Sequence, residues 1–279
     1  MMVTSARFQF LQMIARSDDQ IDLVVAALLI AKEEYPDLDI QSCLGRLDRL
    51  AQGAAARLGA LRDNPFAVLD AINTHLFGDE GFRGNLDDYF DARNSYLNDV
   101  LERRLGIPIT LSLVYMEVAA RLKFPLHGIG FPGHFLVKYE GEGRELLIDP
   151  FHQGAIVMPE DCHARLKEAF GDEVPLARGF FRPVGPRQIL FRMLSNLKHV
   201  HLRREDFPRA LSVLERLVAL TPQDMRLRRD RGLLHLKLEQ YSRAVEDLQA
   251  YITRRPQADD ADEARRHIMD IRRHTALLN

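Results

Sequence analysis

Apolar positions change period along this chain, and each change predicts an element. From Asp19 to Tyr35 they fall at 21, 24, 25, 28 and 29, and from Leu44 to Leu61 the chain is rich in alanine and leucine with an Arg/Asp face. Both stretches read as amphipathic helices, so residues 1 to about 95 are expected to be mostly helical. Gly78, Gly81 and Gly84 around Asp79, Glu80 and Asp87 predict a loop, followed by the aromatic, acidic string DDYFDARNSYL. Pro108 then opens TLSLVYMEVAARL, apolar at 111, 114, 115, 118, 119 and 122, which predicts a buried helix beginning at a proline. Beyond Phe124-Pro125 the period drops to two. HFLVKY (134–139), Glu140-Gly141-Glu142-Gly143 and RELLID (144–149) predict a β-hairpin.

The last third of the chain repeats itself every 34 residues. Phe207 and Tyr241, Ala210 and Ala244, Leu211 and Val245, Leu214 and Leu248, and Pro222 and Pro256 share one register. Each copy predicts two helices, 190–203 with 207–220 and 225–238 with 241–254, and a polar helix near 260–277 caps the array. This pattern resembles the tetratricopeptide repeat. Gly232, Ala244 and Pro256 match its glycine, alanine and proline, whereas Lys198 takes the glycine position in the first copy and both copies lack its aromatic residue. The expected organisation is therefore α+β: residues 1–185 as a helical region plus a mixed core, and residues 186–279 as an all-α repeat stack.

Composition narrows the function. The 279 residues are 46% apolar and 28% charged, the balance of a globular chain able to bury a core. The longest apolar run, Leu23 to Ala31, is far short of the roughly 20 residues a membrane helix requires. The opening MMVTSARFQFLQMIARSDD lacks a basic segment followed by an apolar one, so a cytoplasmic protein without a membrane partner is expected. Cys43 and Cys162 are the only cysteines and show no metal-binding spacing; no metal and no cofactor are expected. Net charge is −2, which gives no general reason to bind nucleic acid. The charge is unevenly spread, with residues 186–279 holding 19 Lys/Arg against 13 Asp/Glu. Arg226, Arg228, Arg229 and Arg231 span more than one helical face, which is weak evidence for nucleic acid; a solvated helical surface and a seat for an acidic peptide in the repeat groove both stay open.

The chemistry-bearing residues sit at the hairpin ends. Antiparallel pairing brings His134, entering the first strand, beside Asp149, leaving the second. A carboxylate that orients an imidazole is half of a nucleophilic triad. The third member belongs at a helix N-terminus, where the dipole activates a nucleophile and free N–H groups bind an oxyanion. Ile107-Pro108-Ile109-Thr110 opens such a helix.

This order of helix start, strand-histidine and strand-aspartate resembles the transglutaminase-like core of papain-like thiol enzymes. NSYLNDVLERRLGIPITLSLVYMEVAARL, GFPGHFLVKY and LLIDPFHQG resemble more closely a bacterial family that joins this core to C-terminal tetratricopeptide repeats and includes homologues of a Salmonella invasion-gene regulator. The resemblance spans about residues 35 to 256 and assigns His134 and Asp149 to the triad. It places the cysteine within 108–110, where Pro108, Ile109 and Thr110 stand instead. The triad is thus degenerate, with Thr110 as its weaker hydroxyl member, and Ser112 faces another side of the helix. Asn98 is a candidate oxyanion donor or helix cap, and His152 and Gln153 are candidates for the pocket rim. Tyr115 and Phe135 read as core aromatics. Gly128, Gly130 and Gly133 in GIGFPGH lead into a strand, not a helix, so they are no dinucleotide fingerprint. Three readings stay open for His134 and Asp149: a polar pair closing a hairpin end, a pocket for a peptide or carboxyl ligand, and an active triad completed by Thr110, Ser112 or a displaced cysteine. The favoured function is a regulatory or scaffolding protein that binds a protein or peptide through this pocket and its repeats. The alternative is a peptidase, amidase or acyl-transferase using the His134–Asp149 pair.

Overall fold

The computed structural model describes residues 5–59, 64–141, 143–171 and 175–277; Leu61 of the expected second helix and Glu142 of the expected hairpin turn lie outside them. The chain divides into two compact units, Met1–Met193 and Leu194–Asn279.

The first unit begins with helices α1 (Ser5–Ile14), α2 (Leu23–Glu34), α3 (Ile40–Leu58) and α4 (Pro65–Asn73). Their starts are written in the sequence. Asp22 accepts from the Val25 amide, Asp39 from that of Gln41, and Asn64 from those of Phe66 and Ala67, each occupying an amide that the first helical turn leaves unpaired. α3 buries one stripe, Cys43, Leu47, Leu50, Ala51, Ala54 and Leu58. One expectation needs correction. Residues Thr74–Asp79 form a π-helical turn, so Gly78 is helical and the loop starts at Gly81, whose φ of +73° favours glycine. The wide turn carries a His75 Nδ1 to Asp79 hydrogen bond of 3.2 Å, an i,i+4 pairing that periodicity does not report.

Short strands β1 (Arg83–Gly84) and β2 (Leu105–Gly106) pair in parallel around α5 (Leu97–Arg103). They deliver the chain to α6 (Pro108–Arg121), the buried helix that the pattern predicted. The hairpin is also present, as β4 (Leu136–Gly141) and β5 (Arg144–Asp149), within a four-stranded antiparallel sheet of order β3-β4-β5-β6. The added strands β3 (Leu126–Ile129) and β6 (Ala155–Val157) are too short to show alternation. Phe135, Val137, Tyr139 and Ile148 pack with Val114, Tyr115 and Val118 of α6 in the main core. A second cluster joins Ile129, Phe131, Leu136 and Val157 to Cys162 and Leu166 of α7 (Pro159–Phe170). His134 precedes β4: its amide donates to the Phe131 carbonyl at 3.1 Å in a tight turn.

α8 (Pro186–Arg203) leads into the second unit, with α9 (Phe207–Leu220), α10 (Met225–Lys237), α11 (Tyr241–Arg254) and α12 (Ala261–Leu277). α9 and α11 start and end 34 residues apart, as the period requires, and α8 and α10 end 34 apart, although α8 starts before the expected residue 190. Ala210 and Ala244 are fully buried. A Cβ on Gly232 would lie 3.0 Å from Leu248 Cγ, so glycine lets α10 and α11 approach closely. Arg231 holds Asp247 with two bonds of 2.6 and 2.7 Å across the same pair. Among the described residues no helix is long and apolar enough to cross a membrane.

Candidate functional site

The centre of the site is a fully buried carboxylate. Asp149 ends β5, where the chain leaves the sheet through the Pro150–His152 turn. Its Oδ1 meets His134 Nε2 at 2.9 Å and accepts the Phe151 amide at 3.1 Å. Its Oδ2 meets His152 Nδ1 at 2.7 Å and accepts from Arg165 of α7 at 2.7 Å. Burial pushes the Asp149 carboxyl up, but hydrogen bonds and charge from His134, then Arg165 and His152, hold it well below the usual carboxylate range. A buried anion with every lone-pair direction occupied is a fixed point. The His134 side chain is 13% exposed and that of His152 is 52% exposed. The two rings lie 5.8 Å apart, and Phe151 packs edge-on against both.

The loop holding His152 is tied down from two sides. Tyr115 donates to Asn73 Oδ1 at 2.9 Å, and Asn73 Nδ2 donates to the Gly154 carbonyl at 3.3 Å. Gly154 has φ +75°, and any Cβ there would strike Asn73. On the far side the Phe151 ring fills the space a Gly84 side chain would need. Tyr115 is thus a core aromatic that also orients the site. Sequence reading missed Arg165, Asn73 and Phe151, because their roles depend on segments that meet only after folding; the glycine in HQG was the one local signal.

The other candidates divide. Gln153 is exposed, with φ +57°, at the end of the turn beside His152. Thr110 is fully buried and its hydroxyl is engaged: it donates to the Asn94 carbonyl at 2.7 Å and accepts the Ile107 amide at 3.1 Å. This is helix capping at α6. Ser112, also fully buried, leaves its Oγ without a partner, and the Asn98 Oδ1 is likewise buried and unpaired. Cys43 sits in the α3 core, and burial raises its pKa against the pull of Arg46. Cys162 is fully buried in the second cluster; burial raises its thiol too, with Arg165 opposing and Asp149 adding. Both sulfurs are therefore protonated at neutral pH and poor nucleophiles.

His134, Asp149 and His152 offer ligand atoms within 4.8 Å of one another, two imidazoles and a carboxylate of the kind that hold transition metals. Their 2.7 and 2.9 Å separations are hydrogen-bond lengths, and Arg165 adds a positive charge on the same carboxylate. A cation would have to break both bonds and face that guanidinium. The arrangement suits holding a proton and orienting an imidazole.

Comparison with known proteins identifies the family. Residues 41–195 match the transglutaminase-like superfamily and residues 197–269 match the tetratricopeptide repeat. A UPF0162 protein of Xylella fastidiosa is 37% identical over 257 residues, covering 91% of each chain. One from Vibrio cholerae is 32% identical over 239 residues, covering 85% of this chain and 88% of its own. Human F-box only protein 21 is 36% identical over 138 residues, 47% of this chain and 21% of that one. No solved structure matches. The chain thus belongs to the transglutaminase-like superfamily, among the bacterial UPF0162 proteins.

Proposed function

We propose that this chain is a binding protein of the cytoplasm, a regulatory or scaffolding factor that holds a protein or peptide through its transglutaminase-like site and its repeats. The observation that carries this reading is the state of the nucleophile candidates. Thr110 uses its hydroxyl to start α6, Ser112 has no exposed surface, and both thiols are buried and protonated. His134 and Asp149 nonetheless keep an ordered pair beside an exposed imidazole, which supports recognition through hydrogen bonds. Repeats of the tetratricopeptide class generally mediate protein interactions, and the surplus of basic residues in 186–279 favours an acidic partner. The net charge of −2 gives no general reason to bind nucleic acid.

A hydrolase or acyl-transferase reading has one observation in its favour: Cys162 is close enough to Asp149 and Arg165 to feel their charges. Intact-mass labelling of wild type and His134→Ala with thiol-directed and serine/threonine-directed electrophiles, followed by peptide mapping, separates the two. The binding reading expects no adduct that depends on His134. An adduct on Cys43, Thr110, Ser112 or Cys162 that disappears in His134→Ala makes the protein a nucleophilic enzyme.

A further inference from the structure

Beside the His134 turn lies a cation that pairs with no carboxylate among the described residues. Arg192 of α8 is half-buried, and its Nη1 donates to the Phe131 carbonyl at 2.9 Å. That oxygen also accepts the His134 amide, so the guanidinium and the imidazole stem from one turn. The group lies over the Phe135 ring at 5.6 Å. Gly130 borders the group: a Cβ there would lie in ordinary contact with Nη1 at 3.9 Å. Among the described residues no carboxylate pairs with Arg192, and burial pulls its pKa down against the nearby Tyr89 phenol. The Tyr89 ring packs edge-on against Phe151 at 6.2 Å, and Phe151 against His134 at 6.0 Å. Arg192, Tyr89, Phe151 and His134 therefore form a circuit that closes through the Phe131 carbonyl.

A guanidinium carries five donors in a rigid fork, and removing it from water without an anion is unfavourable. With Nη1 held by Phe131, the Nε–Nη2 edge is left to meet a planar acceptor. A single positive charge fits a monoanion, and a flat fork fits a carboxylate in two parallel bonds. We propose that Arg192 is the anion anchor of the His134–Asp149 site and that the peptide held there presents a carboxylate to it, beside the contacting rings of Tyr89 and Phe151. This rests on the binding function proposed above and adds the chemical class of the ligand. The carboxylate is either the C-terminal one or that of an Asp/Glu side chain.

The test is calorimetric titration of the full-length chain with three probes: acetyl-Gly-Phe-Gly as the free acid, the same peptide as its carboxamide, and acetyl-Gly-Glu-Gly carboxamide. The free acid is expected to bind at least about tenfold more tightly than its carboxamide, as the loss of a charge-assisted fork implies. Binding of the third probe as well assigns the site to side-chain carboxylates in addition, and its failure to bind assigns it to chain termini; both support the anchor. Arg192→Gln should erase the acid preference. Arg192→Lys, which keeps the charge without the fork, should retain the preference with weaker affinity, and serves if the glutamine variant does not fold. Equal binding of acid and carboxamide by wild type overturns the anchor without any variant. So does an acid preference that survives Arg192→Gln, or the absence of binding by any probe up to about 10 mM. If acid and carboxamide bind alike and His134→Ala loses both, the anchor falls while the binding function stands.

Discussion

Thr110→Val replaces a hydroxyl by a methyl of nearly equal volume at a site with no exposed surface. The Ile107 amide, 3.1 Å away, then loses its acceptor, and the Asn94 carbonyl, 2.7 Å away, loses its donor. Both groups lie in buried chain, where an unpaired polar group costs about 1–3 kcal/mol. Two orphans, partly offset by the more apolar methyl, give a loss of about 3 kcal/mol. For a unit of this size, each kcal/mol moves the midpoint by roughly 2–4 °C, so the melting temperature should fall by about 9 °C. Thr110→Ser retains both bonds and loses one buried methyl, a change of about 1 kcal/mol. Thermal unfolding followed by circular dichroism, with urea unfolding to confirm an unchanged m-value, measures both variants. A valine variant as stable as wild type would refute the capping role. The hydroxyl would then be free of the helix start, and Thr110 would regain its place as a candidate nucleophile.

Asp149 makes a second prediction. Its carboxyl binds a proton more weakly when folded than unfolded, so the stability it contributes is complete above about pH 4 and is lost as pH falls through the lowered folded value. Urea unfolding between about pH 5 and pH 2 should therefore show a steeper decline in wild type than in Asp149→Asn, and parallel slopes would mean the carboxylate is not held as described. In the repeats, Gly232→Val places a branched side chain where a Cβ already lies 3.0 Å from Leu248 and 3.2 Å from Asp247. Asp247 is pinned by Arg231, so the second unit should lose about 2 kcal/mol; an unchanged urea midpoint would show that α10 and α11 can separate freely.

Most of the helices were legible because each announces itself locally. A helix that buries one stripe must repeat apolar residues every three or four positions, and α2, α3 and α6 do so. The repeat was legible for a similar reason: Ala210 and Ala244 are fully buried at equivalent positions of the two copies, and Gly232 is small where α10 and α11 meet. Strands β3 and β6 were not, since three or four residues cannot display a period of two, and the π turn at Thr74–Asp79 departs from the helical period by one residue. In the site, His134 and Asp149 were paired by hairpin logic alone. His152 joined them because it follows Asp149 within one turn.

The pattern of residues thus carried the fold class, the repeats, the His134–Asp149 pair and the lack of a thiol at the start of α6. Tertiary structure decided which atoms those residues meet. It set Arg165 from α7 on Asp149, Asn73 from α4 under the Gly154 loop and Arg192 from α8 beside the His134 turn. It also turned the Thr110 hydroxyl inward to cap its helix. The physical reason is one of range: caps and periodicity act within a turn or two of the chain, whereas the partners of a buried charge come from segments that only the packed core brings together.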